Sequence, residues 1–270
     1  MAFCYNVFMN QWSRNRKRIV LGIVTLAVLI LVGLPAFFLF YRAPTCFDGK
    51  MNGDERGVDC GGSCQLLCSS ESVPLLLQGD PRVLTLSTNT YQVVALVKNS
   101  NNDAEIYNAG YTIKVYEATG AVPVLTIEGE TYVPKGATFA IFEGPLVLEE
   151  GKIPQRATLE WKDDSIVWKK NDTEVPELVV RNQVYSRLDE SPRLEAIVEN
   201  QGLQNISNID LVAVISDAQG NVFAASKTFV DSLAPGERSS VVFTWPRPFG
   251  HEIADTDIIV RVFPDRSFIR

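Results

Sequence analysis

The sequence predicts a mainly β protein: two tandem antiparallel β-sandwiches behind an N-terminal transmembrane helix and a short disulfide-rich segment. Three observations carry that expectation. Residues 19–41 hold no charge and are crowded with Ile, Val, Leu and Phe. Four cysteines, Cys46, Cys60, Cys64 and Cys68, then fall within 23 residues. From Val73 onward the pattern alternates with period two, rich in β-branched residues and broken by Gly, Pro and Asn turns.

The apolar stretch is long enough to cross a membrane. At about 1.5 Å of rise per residue it covers roughly 34 Å, against about 30 Å for a bilayer's hydrocarbon core. Arg14, Arg16, Lys17 and Arg18 precede it with no acid among them, and Arg42 alone follows. The positive-inside bias therefore places residues 1–18 in the cytoplasm and everything from residue 42 outside it. The apolar core exceeds the about 7–15 residues of a cleaved secretory signal. Phe37, Phe38, Phe40 and Tyr41 suit an interfacial aromatic belt, so the expectation is an uncleaved signal-anchor in contact with lipid through residues 19–41. The alternative of a lipoprotein cut before Cys46 lacks a small residue at Thr45.

Charge narrows the partners. Setting aside the four cations before the span and Arg42, the rest of the chain has twenty Lys and Arg against all 32 acids, a net charge of −12. Nucleic acid and anionic lipid surfaces both call for clustered basic charge, and neither is expected as a partner.

Residues 42–72 form a cysteine-rich collar. The segment is rich in Gly and Asp, buries too little apolar surface to hold a core, and needs cross-links. Outside the cytoplasm these are expected to be two disulfides among Cys46, Cys60, Cys64 and Cys68, with three pairings open. Zinc is the competing reading, but intervals of 14, 4 and 4 along the chain do not reproduce paired C-x2-C knuckles. Asp48, Asn52, Asp54 and Asp59 fall at positions one, five, seven and twelve of a calcium-loop pattern, with Gly53 at the turn. Lys50 occupies a ligand position and Asp59 replaces the usual bidentate Glu, so the competing reading is a set of Asx–Gly turns. No other cofactor is expected. The stretch from Cys46 to Cys64 resembles the C-x-D-G-x-x-N-G-D-E-x-G-x-D-C-G-G-x-C element of bacterial surface proteins, which implies surface exposure and no chemistry.

Strands are expected at 91–98, 111–116, 122–127, 138–142 and 156–161, within a first sandwich of residues 73–168. A second series at 178–185, 194–199, 209–216, 222–229, 239–245 and 257–263 makes a second sandwich of residues 177–266, with Val241 facing inward. Residues 169–176, polar and ended by Pro176, read as a linker that leaves the domains a hinge. The two series also match each other. Ala95-Leu-Val-Lys-Asn99 aligns with Ala196-Ile-Val-Glu-Asn200, and Glu117-Ala-Thr-Gly120 with Asp217-Ala-Gln-Gly220. From Asn to turn Gly is 21 residues in one and 20 in the other, and the glycine of the following Pro bend, Gly136 or Gly236, comes 16 later in both. This pattern is similar to bacterial immunoglobulin-like domains of the FxLYD and cell-adhesion-related types. Leu233-Ala-Pro-Gly-Glu237 fits their L-x-P-G-E signature and Val133-Pro-Lys-Gly-Ala137 departs from it.

No nucleophile elbow, phosphate loop or zincin pair occurs, and His251, the one histidine, sits in a Pro-Gly-rich loop with no assignable partner. No catalytic residue is named and an enzyme is not expected. The favoured function is a membrane-anchored extracytoplasmic binding or structural protein, its sandwiches presented to an unidentified envelope or surface protein. The alternative is a sensor or regulator signalling through its span, disfavoured by the short segment before it.

Overall fold

A computed structural model describes residues 3–40 and 44–264, in two compact units, residues 1–59 and 60–270. Tyr41 and Arg42, and Asp265 and Arg266 of the expected second domain, lie outside the described residues. The first unit contains helix α1, Phe3–Phe40. The helix reaches back through the basic cluster, because Arg and Lys favour helix and nothing between Phe3 and Ser13 breaks one. Residues Asn15–Phe37 are long and apolar enough to cross a membrane by length and composition.

Among the described residues the second unit has fourteen strands, all antiparallel. β1 (Leu76–Leu77) and β2 (Arg82–Ser87) both pair with β3 (Thr90–Lys98), whose other edge takes β6 (Thr138–Val147). β4 (Ala104–Glu117) lies between β5 (Leu125–Val133) and β7 (Pro154–Trp161), and its first residues pair with β8 (Lys169–Lys170). β8 uses the first two residues of the expected linker. The next half repeats the order. β9 (Leu178–Ser186), β10 (Arg193–Asn200) and β13 (Arg238–Thr244) make one sheet with β10 central. β11 (Ile206–Ser216), β12 (Val222–Leu233) and β14 (Asp255–Val262) make the other with β11 central.

Alternation accounts for two of the cores. Ile113 and Val115 turn inward from β4 while Lys114 and Tyr116 face out, and they meet Val93, Val97, Phe139 and Ile141 of the opposing sheet. Leu194, Val198, Leu211, Ile215, Val241 and Phe243 do the same in the second sandwich, so Val241 faces inward as expected.

A third apolar layer overturns the hinge. Leu84, Val94 and Ala140 of the first sandwich pack with Val212, Val214 and Ala225 of the second, flanked by Leu96, Phe142, Val222 and Ile259. The Leu and Val side chains among them gain about 1.5–3 kcal/mol each on full burial. Opening the layer is therefore costly, and the two sandwiches form one stack of four sheets. The runs Val93-Val-Ala-Leu-Val97 and Leu211-Val-Ala-Val-Ile215 are apolar at every position because both faces of their strands are covered.

Candidate functional site

The sandwich junction is the place where side chains from distant parts of the chain converge. The β2 and β12 edges and the β13–β14 loop enclose a crevice of about 430 Å³, lined among others by Leu86, Phe223, Trp245, Arg247, Phe249 and His251. An aromatic ladder forms its wall. Phe249 packs edge-on to both Phe223 (5.5 Å between centroids) and Trp245 (5.1 Å), and His251 stacks on Phe223 at 5.3 Å. The edges beside it are blunted by side chains. The Ala225 carbonyl accepts from Gln92 Nε2 (2.7 Å) and Trp245 Nε1 (2.9 Å), and the Leu86 carbonyl accepts from Arg247 Nε at 3.0 Å. The crevice thus sets aromatic rings beside fixed polar groups. Sequence reading placed His251 in a loop without partners. Its stacking and the crevice arise from sandwich packing, and the Trp-Pro-Arg-Pro-Phe-Gly-His run was the available signal.

At the other end of the junction the polar groups are buried and interlocked. Arg261, 8% exposed, donates from Nη1 to Thr131 Oγ1 (2.8 Å) and to the Tyr132 carbonyl (3.3 Å), and lies 3.9 Å from Asp210. Its guanidinium covers the Phe263 ring at 4.4 Å. Burial pulls its pKa down to about 10, against the opposing pull of Asp210, so it is charged at neutral pH. Glu105, also buried, accepts from the Tyr132 hydroxyl at 2.6 Å and from Asn171 Nδ2 at 2.8 Å. Burial, reinforced by the neighbouring Glu105, pushes Tyr107 up to about 12 and raises Tyr132 further. Burial and the hydrogen bond to Glu143 raise Tyr111 likewise.

The collar residues divide between the two units. In the first, Asp48, Asn52 and Asp59 come together by hydrogen bonds. Asp59 accepts the N–H groups of Asp48 (3.0 Å) and Gly49 (3.0 Å), while Asp48 accepts from Lys50 N (3.0 Å) and Asn52 Nδ2 (2.9 Å). The Asn52 amide, the largest influence, holds the Asp48 carboxyl below its usual range. Gly49 and Gly53 have φ of 71° and 63° and Asp59 of 57°, the left-handed turns that the Asx–Gly pattern supplies. Asp54 is exposed on the same loop. All four carboxylate oxygens of Asp48 and Asp59 thus accept N–H donors.

All four collar cysteines are disulfide-bonded, Cys60 to Cys68, with Cys46 and Cys64 also in disulfide linkage. From Cys60 onward the collar is fastened to the first sandwich. Leu67 N donates to the Trp168 carbonyl (3.1 Å), Lys170 N to the Gln65 carbonyl (2.8 Å), and Leu67 packs against the first core. Trp168 is buried there too, and Trp161 packs edge-on to Tyr111.

No family model matches the chain, and no curated protein matches it. Among solved structures, a crystal structure of red sea bream transglutaminase is similar over 72% of this chain and 32% of that one, at 13% identity and a TM-score of 0.22.

Proposed function

We propose that the chain is a single-pass membrane protein of the cell envelope, with its N-terminus in the cytoplasm, that presents two immunoglobulin-like sandwiches outside to bind another protein. It acts by binding and not by catalysis. Residues 19–41 contact the bilayer, and Arg16, Lys17 and Arg18 at the inner end set its direction. The junction crevice carries the binding part of the reading, since an aromatic wall is held there by two sandwiches that share a buried layer. The sandwiches are copies of one module. Their strand orders correspond, and Asn99 and Asn200 play the same part in each: Nδ2 donates to the Ala104 and Pro134 carbonyls in the first, and to the Gln204 and Leu233 carbonyls in the second.

The test uses the full-length protein purified from its own membrane with a mild detergent. A stoichiometric protein should co-purify with the wild type and be lost from the Arg247→Glu and Phe249→Ser variants. A lone wild-type chain, or a partner retained by both variants, would remove the crevice from the reading. Protease added to intact protoplasts should digest the sandwiches and spare the N-terminus.

A further inference from the structure

Resting on the junction crevice as the docking site, we propose that the partner seats an acidic peptide segment in it. An apolar side chain of that segment lies against Phe223 and Phe249, a main-chain N–H meets Gln92, and a neighbouring Asp or Glu carboxylate is held by Arg247.

Charge is the first reason. The chain has a net charge of −7, yet no Asp or Glu lines the crevice, while Arg247 and His251 do. Arg181, Arg193 and Arg238 of the same sandwich each lie near a glutamate, at 3.8, 2.7 and 3.1 Å. Arg247 meets no carboxylate among the described residues. Only its Nε is engaged, at the Leu86 carbonyl, so both Nη nitrogens are left to grip a carboxylate in the paired fashion that suits a guanidinium. Pro246 and Pro248 flank it, and their fixed φ limits how far the loop can carry the arginine away. Asp217, which senses His251, keeps its carboxylate on N–H groups of its own turn, Gln219 (3.0 Å) and Asn221 (2.8 Å).

The second reason is an unmet acceptor. Gln92 lines the crevice although it is only 3% exposed. Its Nε2 donates to the Ala225 carbonyl, which fixes the orientation of the amide, and its Oε1 takes no donor among the described residues. A buried acceptor is costly until it is met, and a main-chain N–H is the donor that nearly every peptide residue carries.

The sheet edges and the rings decide between occupants. The Ala225 and Leu86 carbonyls already accept side-chain donors, so β12 and β2 offer no continuous ladder to an added strand, and side chains must do the holding. Phe223 is covered by His251, and Phe249 packs on both Phe223 and Trp245. A neutral sugar stacked on such rings leaves the Arg247 charge unanswered.

The test pans phage-displayed random dodecapeptides against the full-length protein in lipid nanodiscs, after subtraction on the Phe249→Ser protein. Enriched sequences should share an aromatic or aliphatic residue beside, or next but one to, Asp or Glu. The strongest, synthesised with a fluorophore and followed by anisotropy, should lose about tenfold in affinity on Arg247→Gln, and as much when its own acids become amides. Added salt should weaken it further. Gln92→Met should weaken it too, and an unchanged affinity there removes Gln92 from the site. The proposal is overturned by acid-free winners, by affinity indifferent to Arg247→Gln, or by a library with no sequence that tells wild type from Phe249→Ser, the outcome a saccharide occupant would give. Acid-free winners together with a natural partner that Phe249→Ser releases leave the crevice as a docking site and remove only the acidic chemistry. An acidic peptide that binds there while no protein co-purifies does the reverse.

Discussion

At the scale of single residues, buried side-chain amides and hydroxyls hold the loops that sequence patterns only outline. Asn200 is fully buried, and besides its two carbonyl partners its Oδ1 accepts Gly202 N at 2.9 Å. Asn200→Ala leaves a buried and a part-buried carbonyl without their side-chain donor, so a loss of about 2 kcal/mol is expected in denaturant titration. A loss under about 0.5 kcal/mol, typical of a surface change, would refute that role. The tyrosine hydroxyls give a pH dependence. Tyr107, Tyr111 and Tyr132 are raised above their usual 10 in the folded chain. Above pH 10 the unfolded chain releases these protons and the native chain keeps them, so stability is present below pH 10 and falls as pH rises toward the 12 of Tyr107. Arg261, lowered to about 10, works in the opposite direction over the same range, one group against three. Thermal midpoints should therefore drop above pH 10, and Tyr132→Phe should flatten the slope. A midpoint unchanged up to pH 11 would show that these hydroxyls ionise freely in the native state.

At the scale of elements, the second half of the collar acts as an extra edge piece of the first sandwich. It contributes the Leu66–Lys169 bridge and a side-chain contact from Lys170 Nζ to the Gly62 carbonyl at 2.6 Å. The Cys60–Cys68 bridge closes a short loop around that contact. Cys60→Ser/Cys68→Ser should cost about 2 kcal/mol and expose residues 60–72 to protease while the sandwiches stay intact. Equal digestion of variant and wild type would mean that the strand contacts suffice. The outer sheets show why stacking stops at four layers. Lys114–Glu160 (2.7 Å) and Lys162–Glu128 (2.6 Å) lie at one end, and Arg193–Glu195 (2.7 Å) and Arg238–Glu199 (3.1 Å) at the other. Such exposed pairs add little stability, but they leave no apolar face for a further sheet.

At the scale of the molecule, the shared layer makes the two sandwiches one cooperative body. Sheets that do not correspond meet in it: β2, β3 and β6 of the first face β11, β12 and β14 of the second. Calorimetry of the protein should show one unfolding transition for the pair of sandwiches. Val214→Asp places a carboxylate in the shared layer, at a cost of several kcal/mol, and should split that transition in two. Val241→Asp, within the second core, should unfold that sandwich first. Two transitions in the wild type would show the layer to be too weak to couple the halves.

The sequence by itself determined the features whose physics is local. An uncharged run of 23 residues, cysteines crowded into a segment too small for a core, and period-two alternation each admit few structures. The Asn–Gly spacing likewise pointed to Asn99 and Asn200, because a strand-ending amide and a left-handed glycine leave a readable pattern. Tertiary structure alone decided the shared layer, the burial of Arg261 and the aromatic crevice. An apolar strand position does not say which of two possible sheets will cover it. Residues separated by a whole domain, such as Gln92 and Ala225, meet only once both sandwiches have folded and chosen their faces.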